Sequence, residues 1–152
     1  MKAEIQIRLE ELLNEKIINS SSVSGGCISD SRKIKLNSGK VFFLKQLSFA
    51  NPKIFEAEAL GLDLLSKSGV VNVPKVIEKS DDFLLLEWIE VGEKNKDSSM
   101  DKLGRQFAKL HSSHGQKFGL HQDNYLGNSP QSNSPTIKGS KNWATFFTEN
   151  RI

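Results

Sequence analysis

The feature that most constrains this 152-residue chain is the order in which helical and strand-like patterns follow one another. An amphipathic pattern over 4–17 comes first, with apolar residues at helical spacing. Three strand-like segments follow, then a helix over 51–69, and then two more strands. The helix is well delimited, because Pro52 suits a first helical position and Gly69 suits a helix end. We therefore expect an α+β fold with a five-stranded antiparallel sheet that one helix interrupts in sequence.

Four of the strands are marked by apolar runs between turn residues. The segments RKIKL (32–36) and KVFFLKQL (40–47) flank Asn-Ser-Gly, which predicts an antiparallel hairpin. The segments VPKVIEK (73–79) and FLLLEWIE (83–90) predict the last two strands, joined by the turn SDD. The sheet should therefore be continuous on both sides of the helix.

The remainder of the chain is predicted to be mostly helix and loop. A second amphipathic helix is expected over 100–113, with Leu103, Phe107 and Leu110 as its buried stripe. The segment 114–142 is rich in Gly, Ser, Asn and Gln, and it predicts an extended segment on the surface. The residues NWATFFTENRI at the end of the sequence predict a further helix.

Composition excludes several classes of protein. The formal charge is only +3, and basic residues alternate with acidic ones, whereas binding to a nucleic-acid backbone needs clustered cations. Cys27 is the single cysteine, so no intrachain disulfide is possible, and a cytoplasmic location is expected. The sequence has neither the apolar core of a signal peptide nor a run of about 18 apolar residues. We expect no partnership with nucleic acid or membrane.

Two features of the strands could serve phosphate binding. The segment VSGGCISDS (23–31) places glycines between two strands, where backbone N–H groups can approach a phosphate closely. The alternative is a flexible turn. Lys45, near the end of an apolar strand, could point into a cleft and pair with phosphates, or it could be a solvated strand end.

Five strands with one helix after the third resemble the small lobe of protein-kinase-like folds. Such a lobe needs a helix glutamate that holds the strand lysine, here Lys45. Glu56 and Glu58 point about 200° apart on a helix, so only one of them can face the strand. Glu58 lies three residues after Phe55 and four before Leu62, on the inward face. We therefore predict that Glu58 pairs with the lysine and that Glu56 faces solvent.

The segment after the last strand resembles a hinge. The backbone of Glu87, Trp88 and Ile89 would offer hydrogen bonds to adenine. Trp88 also has an ordinary alternative as a core or edge aromatic residue.

Together these segments resemble the N-terminal part of the fructosamine kinase (ketosamine 3-kinase) family, which is related to the aminoglycoside phosphotransferases. The resemblance is carried by VSGGCIS, VFFLK, FEAEALGLDLL, VPKVI, LLLEWIE, LGRQFAKLHS, FGLHQDNYLGNSPQSN and NWATFFTENRI. It implies ATP-dependent phosphorylation of the sugar 3-hydroxyl of ketosamines, the adducts of reducing sugars with amines. It further implies a nucleotide-binding lobe over 1–90, and a connector and the beginning of a second lobe over 91–152.

The resemblance also assigns roles to residues. Lys45 and Glu58 match the pair that positions ATP. The loop that covers the phosphates is matched by residues 24–29, among them Gly25, Gly26, Cys27, Ile28 and Ser29. Magnesium, the other cofactor implied, would be held by residues in a part of the family that this chain lacks.

The octet HQDNYLGN (121–128) has the spacing H-x-D-x-x-x-x-N of a kinase catalytic loop. A kinase also needs a later aspartate that holds magnesium, and no aspartate follows Asp123. We therefore interpret Asp123 and Asn124 as turn-shaping residues and expect no catalytic residue in the chain. The chain alone is predicted to be inactive, with exposed Phe146 and Phe147. The alternative function is a non-catalytic lobe that binds nucleotide or a partner.

Cys27 is a candidate for redox control. Oxidation of an exposed loop cysteine could link two chains and reshape the phosphate loop. The alternative is an inert small residue.

Overall fold

The computed structural model describes residues 1–24, 29–47, 51–90, 92, 96–115, 118–133 and 142–151. Its elements follow in the order α1 (Ala3–Leu13), β1 (Ile17–Ser22), β2 (Ser29–Leu36), β3 (Val41–Leu47), α2 (Pro52–Lys67), β4 (Val76–Lys79), β5 (Phe83–Glu87), α3 (Lys96–His111), β6 (Asn124–Leu126), β7 (Ser129–Gln131) and α4 (Trp143–Arg151). Within these ranges, no helix has the length and apolar character that crossing a membrane requires.

The main sheet has five antiparallel strands in the order β1-β2-β3-β5-β4. The helix α2 lies between the third and fourth strands in sequence. The predicted α+β architecture with a five-stranded antiparallel sheet is therefore confirmed. The hairpin around Asn-Ser-Gly is also present, as β2 and β3.

The chain forms two compact units. The first comprises Met1–Leu62 and Val73–Val91, and it contains α1, the five-stranded sheet and most of α2. The second comprises Asp63–Asn72 and Gly92–Ile152, and it contains the end of α2, the hairpin of β6 and β7, and the helices α3 and α4. The roles expected for 1–90 and 91–152 stay predictions.

The core of the first unit lies between α1 and one face of the sheet. Its fully buried cluster joins two residues of α1 to four of the strands: Ile5, Leu9, Ile34, Leu44, Phe83 and Leu85. Successive residues of a strand point to opposite faces. Leu44 therefore points toward α1, and its neighbour Lys45 points to the other face of the sheet.

The first helix is shorter than predicted. It ends at Leu13, where Asn14 adopts a left-handed conformation with φ 49°. Ile17, which we expected to close the helix, instead opens β1 and packs partly buried against the same core. An apolar residue at helical spacing can thus reach the core from a strand, which is why the apolar spacing predicted too long a helix.

Two predictions for the second unit are wrong. Leu103 and Phe107 were expected in a buried stripe on α3, but they are 42% and 49% exposed. An apolar pattern shows which face of a helix is apolar, but that face is buried only where another element packs against it. No element among the described residues buries Leu103 or Phe107. Phe146 was expected to be exposed and is 3% exposed, while Phe147 is 41% exposed, as expected.

The hairpin of β6 and β7 lies in the segment predicted to be extended, and a buried amide connects it to α4. Asn133 is 2% exposed. Its backbone N–H donates to Asp123 Oδ1 at 2.7 Å, and its Nδ2 donates to Asn124 Oδ1 at 3.0 Å. Its Oδ1 accepts from a guanidinium nitrogen of Arg151 at 2.6 Å. Asp123 therefore holds the backbone at Asn133, and Asn124 holds the buried Asn133 side chain.

Glu10 links α1 to the start of β1. One carboxylate oxygen accepts from Lys16 Nζ at 2.6 Å, and the other accepts from Gln6 Nε2 and the Ile17 backbone N–H, both at 3.1 Å. These donors, Lys16 foremost, lower the pKa of Glu10 from the usual 4.5 to about 2. Glu10 is therefore charged in the folded protein at any pH above about 2.

Replacing Glu10 with Gln should destabilise the protein at neutral pH and not in strong acid. The folded pKa lies below the unfolded one, so the carboxylate contributes stability above pH 4.5 that is lost as pH falls toward about 2. Thermal melts of the wild type and Glu10→Gln across this range should converge as pH falls. Glu11→Gln, at an exposed position, controls for the loss of charge. A gap in melting temperature that does not change with pH would contradict the assignment.

Candidate nucleotide-binding site

A cavity of about 220 Å³ lies on the face of the sheet opposite α1. Its lining comes from the two residues that follow β1, from β2 and β3, and from α2: Val23, Ser24, Ser29, Ser31, Phe43, Lys45 and Glu58. All of these residues belong to the first compact unit. The cavity therefore collects one ammonium, one carboxylate, three hydroxyls and an aromatic ring.

The register of the β2–β3 hairpin sets this composition. Ser31 is directly opposite Lys45, and Lys33 is directly opposite Phe43. Directly opposed residues of an antiparallel pair share a face, as do residues two apart on one strand. The cavity side of the hairpin is therefore polar at Ser29, Ser31 and Lys45, whereas its other side contributes Ile34 and Leu44 to the core.

Lys45 and Glu58 form a close ion pair. Lys45 Nζ lies 2.7 Å from one carboxylate oxygen of Glu58 and 2.6 Å from the other. The two side chains are 23% and 30% exposed. Glu56 instead lies 3.8 Å from Lys79 Nζ, where both side chains are about half exposed. The structure therefore shows the predicted pairing of Lys45 with Glu58, while their role toward a nucleotide stays a prediction.

The bidentate pair leaves the lysine with donor capacity. An ammonium has three N–H donors, and two of them are directed at the carboxylate oxygens. The third, together with the hydroxyls of Ser29 and Ser31, can donate to an oxygen-rich anion. The arrangement suits phosphate oxygens because the cation is held in one place by Glu58.

Three lining residues, Val23, Ser31 and Phe43, were missed from sequence. Ser31 is 8% exposed, with its hydroxyl 3.5 Å from that of Ser29, and Phe43 forms the aromatic part of the wall. The predicted turn held the necessary signal, because counting outward from Asn-Ser-Gly places residue 31 opposite residue 45. Ser29, which was predicted in the phosphate loop, is the first residue of β2 and lines the cavity.

The hinge candidates begin at Glu87, which is the last residue of β5 that pairs with β3. Glu87 pairs with Phe42, and its backbone N–H donates to the Lys75 carbonyl at 2.9 Å. That N–H is therefore committed to the sheet. The Glu87 carbonyl and the backbone of Trp88 and Ile89 are the groups that could reach a base, and the Trp88 ring centroid lies 6.3 Å from that of Phe43.

Four predicted site residues, Gly25, Gly26, Cys27 and Ile28, lie outside the described residues. Their predicted contact with phosphate is therefore untested. Cys27 is among these four residues, so the described part of the chain gives no support to the predicted link between two chains through it. Among the described residues, no three His, Cys, Asp or Glu side chains are grouped as metal ligands.

The five-stranded sheet and the pairing of a strand lysine with a helix glutamate define a protein-kinase-like small lobe. The family model described as fructosamine kinase matches residues 1–152, and the chain belongs to this family. It is 34% identical over 142 residues to a probable ketoamine kinase of Synechocystis sp., covering 90% of this chain and 46% of that protein. It is 33% identical over 144 residues to the chloroplastic protein-ribulosamine 3-kinase of Oryza sativa subsp. indica, covering 90% and 40%.

Solved structures of other proteins share the fold of this chain. The crystal structure of a fructosamine-3-kinase homologue from Thermobifida fusca YX-ER1 superposes with a TM-score of 0.81 at 28% identity, covering 100% of this chain and 52% of that one. The ternary complex of streptomycin, ATP and APH(2″)-IIa shares the fold, with a TM-score of 0.56 at 21% identity over 76% of this chain and 41% of that one. The chain therefore spans about half the length of the relatives it matches.

A double-mutant cycle should separate the two glutamates of α2. Lys45→Met and Glu58→Gln should show a coupling of about 1 kcal/mol in the free energy of unfolding, because their contact is close and partly buried. The exposed pair of Lys79 and Glu56 serves as the matched control, with an expected coupling below about 0.5 kcal/mol. Urea denaturation measures both cycles. Equal couplings would contradict a special role for the pair in the cavity.

Proposed function

We propose that this chain supplies the nucleotide-binding half of an ATP-dependent kinase that phosphorylates the sugar 3-hydroxyl of ketosamines. The substrates would be fructosamine or ribulosamine adducts of amines, so that the reaction serves deglycation in the cytoplasm. The observation that carries the proposal is the ion pair of Lys45 and Glu58 in a cavity lined by hydroxyls.

The cavity residues fit the phosphates of ATP. When bound, ATP supplies the phosphoryl group for transfer. Lys45 would hold phosphate oxygens, Ser29 and Ser31 would donate hydrogen bonds to them, and Glu58 would keep the ammonium in place. The ATP complex of APH(2″)-IIa, which has the same fold, supports the choice of nucleotide. Magnesium accompanies ATP in kinases, and we assign it to no described residue.

The names of the relatives support the substrate class. They include ketoamine kinases and a protein-ribulosamine 3-kinase. Because this chain matches 46% and 40% of those two proteins, the catalytic base, the magnesium ligands and most contacts to the sugar are proposed to lie in the unmatched part. The amine and the sugar that the substrate carries are therefore not assigned to residues here.

Isothermal titration with ATP tests the role of the cavity. Lys45→Met should weaken ATP binding about tenfold or more, because a charged hydrogen bond to phosphate is lost. Glu58→Gln should weaken it less, because the ammonium remains but is no longer held. Glu56→Gln, two residues away and directed at Lys79, should bind like the wild type. Unchanged binding by Lys45→Met, or no ATP binding by the wild type, would contradict the proposal.

An activity assay distinguishes a half-enzyme from a complete one. Residues 1–152, incubated with ATP, magnesium and a ribulosamine or fructosamine, should give no phosphorylated sugar, because the catalytic base and the magnesium ligands are proposed to lie in the part of the relatives that this chain does not match. The Synechocystis relative, assayed in parallel, controls for substrate and conditions. Phosphorylation by this chain alone would overturn the predicted division of roles.

A further inference from the structure

Lys33 makes a contact that the nucleotide site as described does not use. It lies on β2 directly opposite Phe43, on the same face of the sheet as Lys45. Its ammonium is 4.2 Å from the centroid of the Trp88 ring and 3.6 Å from Glu90 Oε1. The side chain therefore connects β2 to the segment that follows β5.

This connection crosses a strand. In the sheet, β3 lies between β2 and β5, so β2 forms no ladder with β5. Glu87 is the last residue of β5 that pairs with β3, and residues 88–90 continue beyond the ladder. The contact of Lys33 with Trp88 and Glu90 is thus a side-chain link between β2 and the hinge.

The Trp88 ring is positioned by contacts with neighbouring side chains and not by a hydrogen bond from its indole nitrogen. Its Nε1 is buried and has no hydrogen-bond partner among the described residues. Phe43 lies 6.3 Å away between centroids, and the Lys33 ammonium lies over the ring. Removing the cation therefore removes one of the two described contacts that orient the indole.

We propose that Lys33 is a positioning residue for the nucleotide base. By holding Trp88, it fixes the position of the backbone of residues 87–89, which is proposed to bind the base. The inference rests on the proposed function, and it adds a specificity-determining residue to the site. Since Lys45, Ser29 and Ser31 hold the phosphates, loss of Lys33 should weaken the part of the affinity that depends on the base and leave the phosphate part intact.

The test compares two ligands, ATP and inorganic tripolyphosphate, by isothermal titration. Lys33→Met should bind ATP about three- to tenfold more weakly than the wild type does, the range expected for a lost cation–π contact. Its affinity for tripolyphosphate should stay within about twofold. Lys33→Arg keeps a cation over the ring and should retain ATP affinity. Lys35→Met, on the same strand at an exposed position, controls for the loss of a lysine charge.

A second variant keeps the test decisive if Lys33→Met folds poorly in circular dichroism. Glu90→Gln removes the ion partner of Lys33 at a side chain that is 76% exposed. It should weaken ATP binding less than Lys33→Met does, and it should likewise leave the affinity for tripolyphosphate unchanged. Equal weakening of both ligands, or no change in either, would overturn the proposal while ATP binding by the wild type stands. If the wild type itself binds no ATP, the proposed function fails and this inference fails with it.

Discussion

The alternation of side chains along β3 determines which face of the sheet carries the core and which face carries the candidate site. Leu44 points into the cluster with Ile5 and Leu9, and this contact seats α1 on one face of the sheet. The adjacent Lys45 must then point to the other face, where Glu58 of α2 meets it. Because α1 occupies the first face, the polar cavity can form only on the second.

The same alternation explains how a small sheet carries both a core and a charged site. One face buries aliphatic and aromatic side chains, which stabilise the fold without polar partners. The other face carries an ammonium that would be unfavourable if it were buried alone. Pairing with Glu58 satisfies that ammonium while partial exposure remains, so the site is both stable and accessible to an anion.

Much of this arrangement could be predicted from sequence, because it depends on periodicity and local signals. The Asn-Ser-Gly turn gave the hairpin, and helical geometry separated Glu58 from Glu56. Other features depend on tertiary context. The strand β1 (IINSSS) has no run of apolar alternation, and it forms by pairing with β2. The hydrogen bonds of Asn133 join Asp123 to Arg151, which are far apart in sequence, so no local pattern predicts them.

The central claim is that the cavity face of the sheet binds ATP. An NMR titration of the ¹⁵N-labelled protein with ATP tests it most directly. The account predicts amide shift changes that cluster at Ser29, Ser31, Lys45 and Trp88, with residues of α1 such as Ile5 and Leu9 unaffected. Changes that cluster on the α1 side of the sheet, or no changes at saturating ATP, would contradict it.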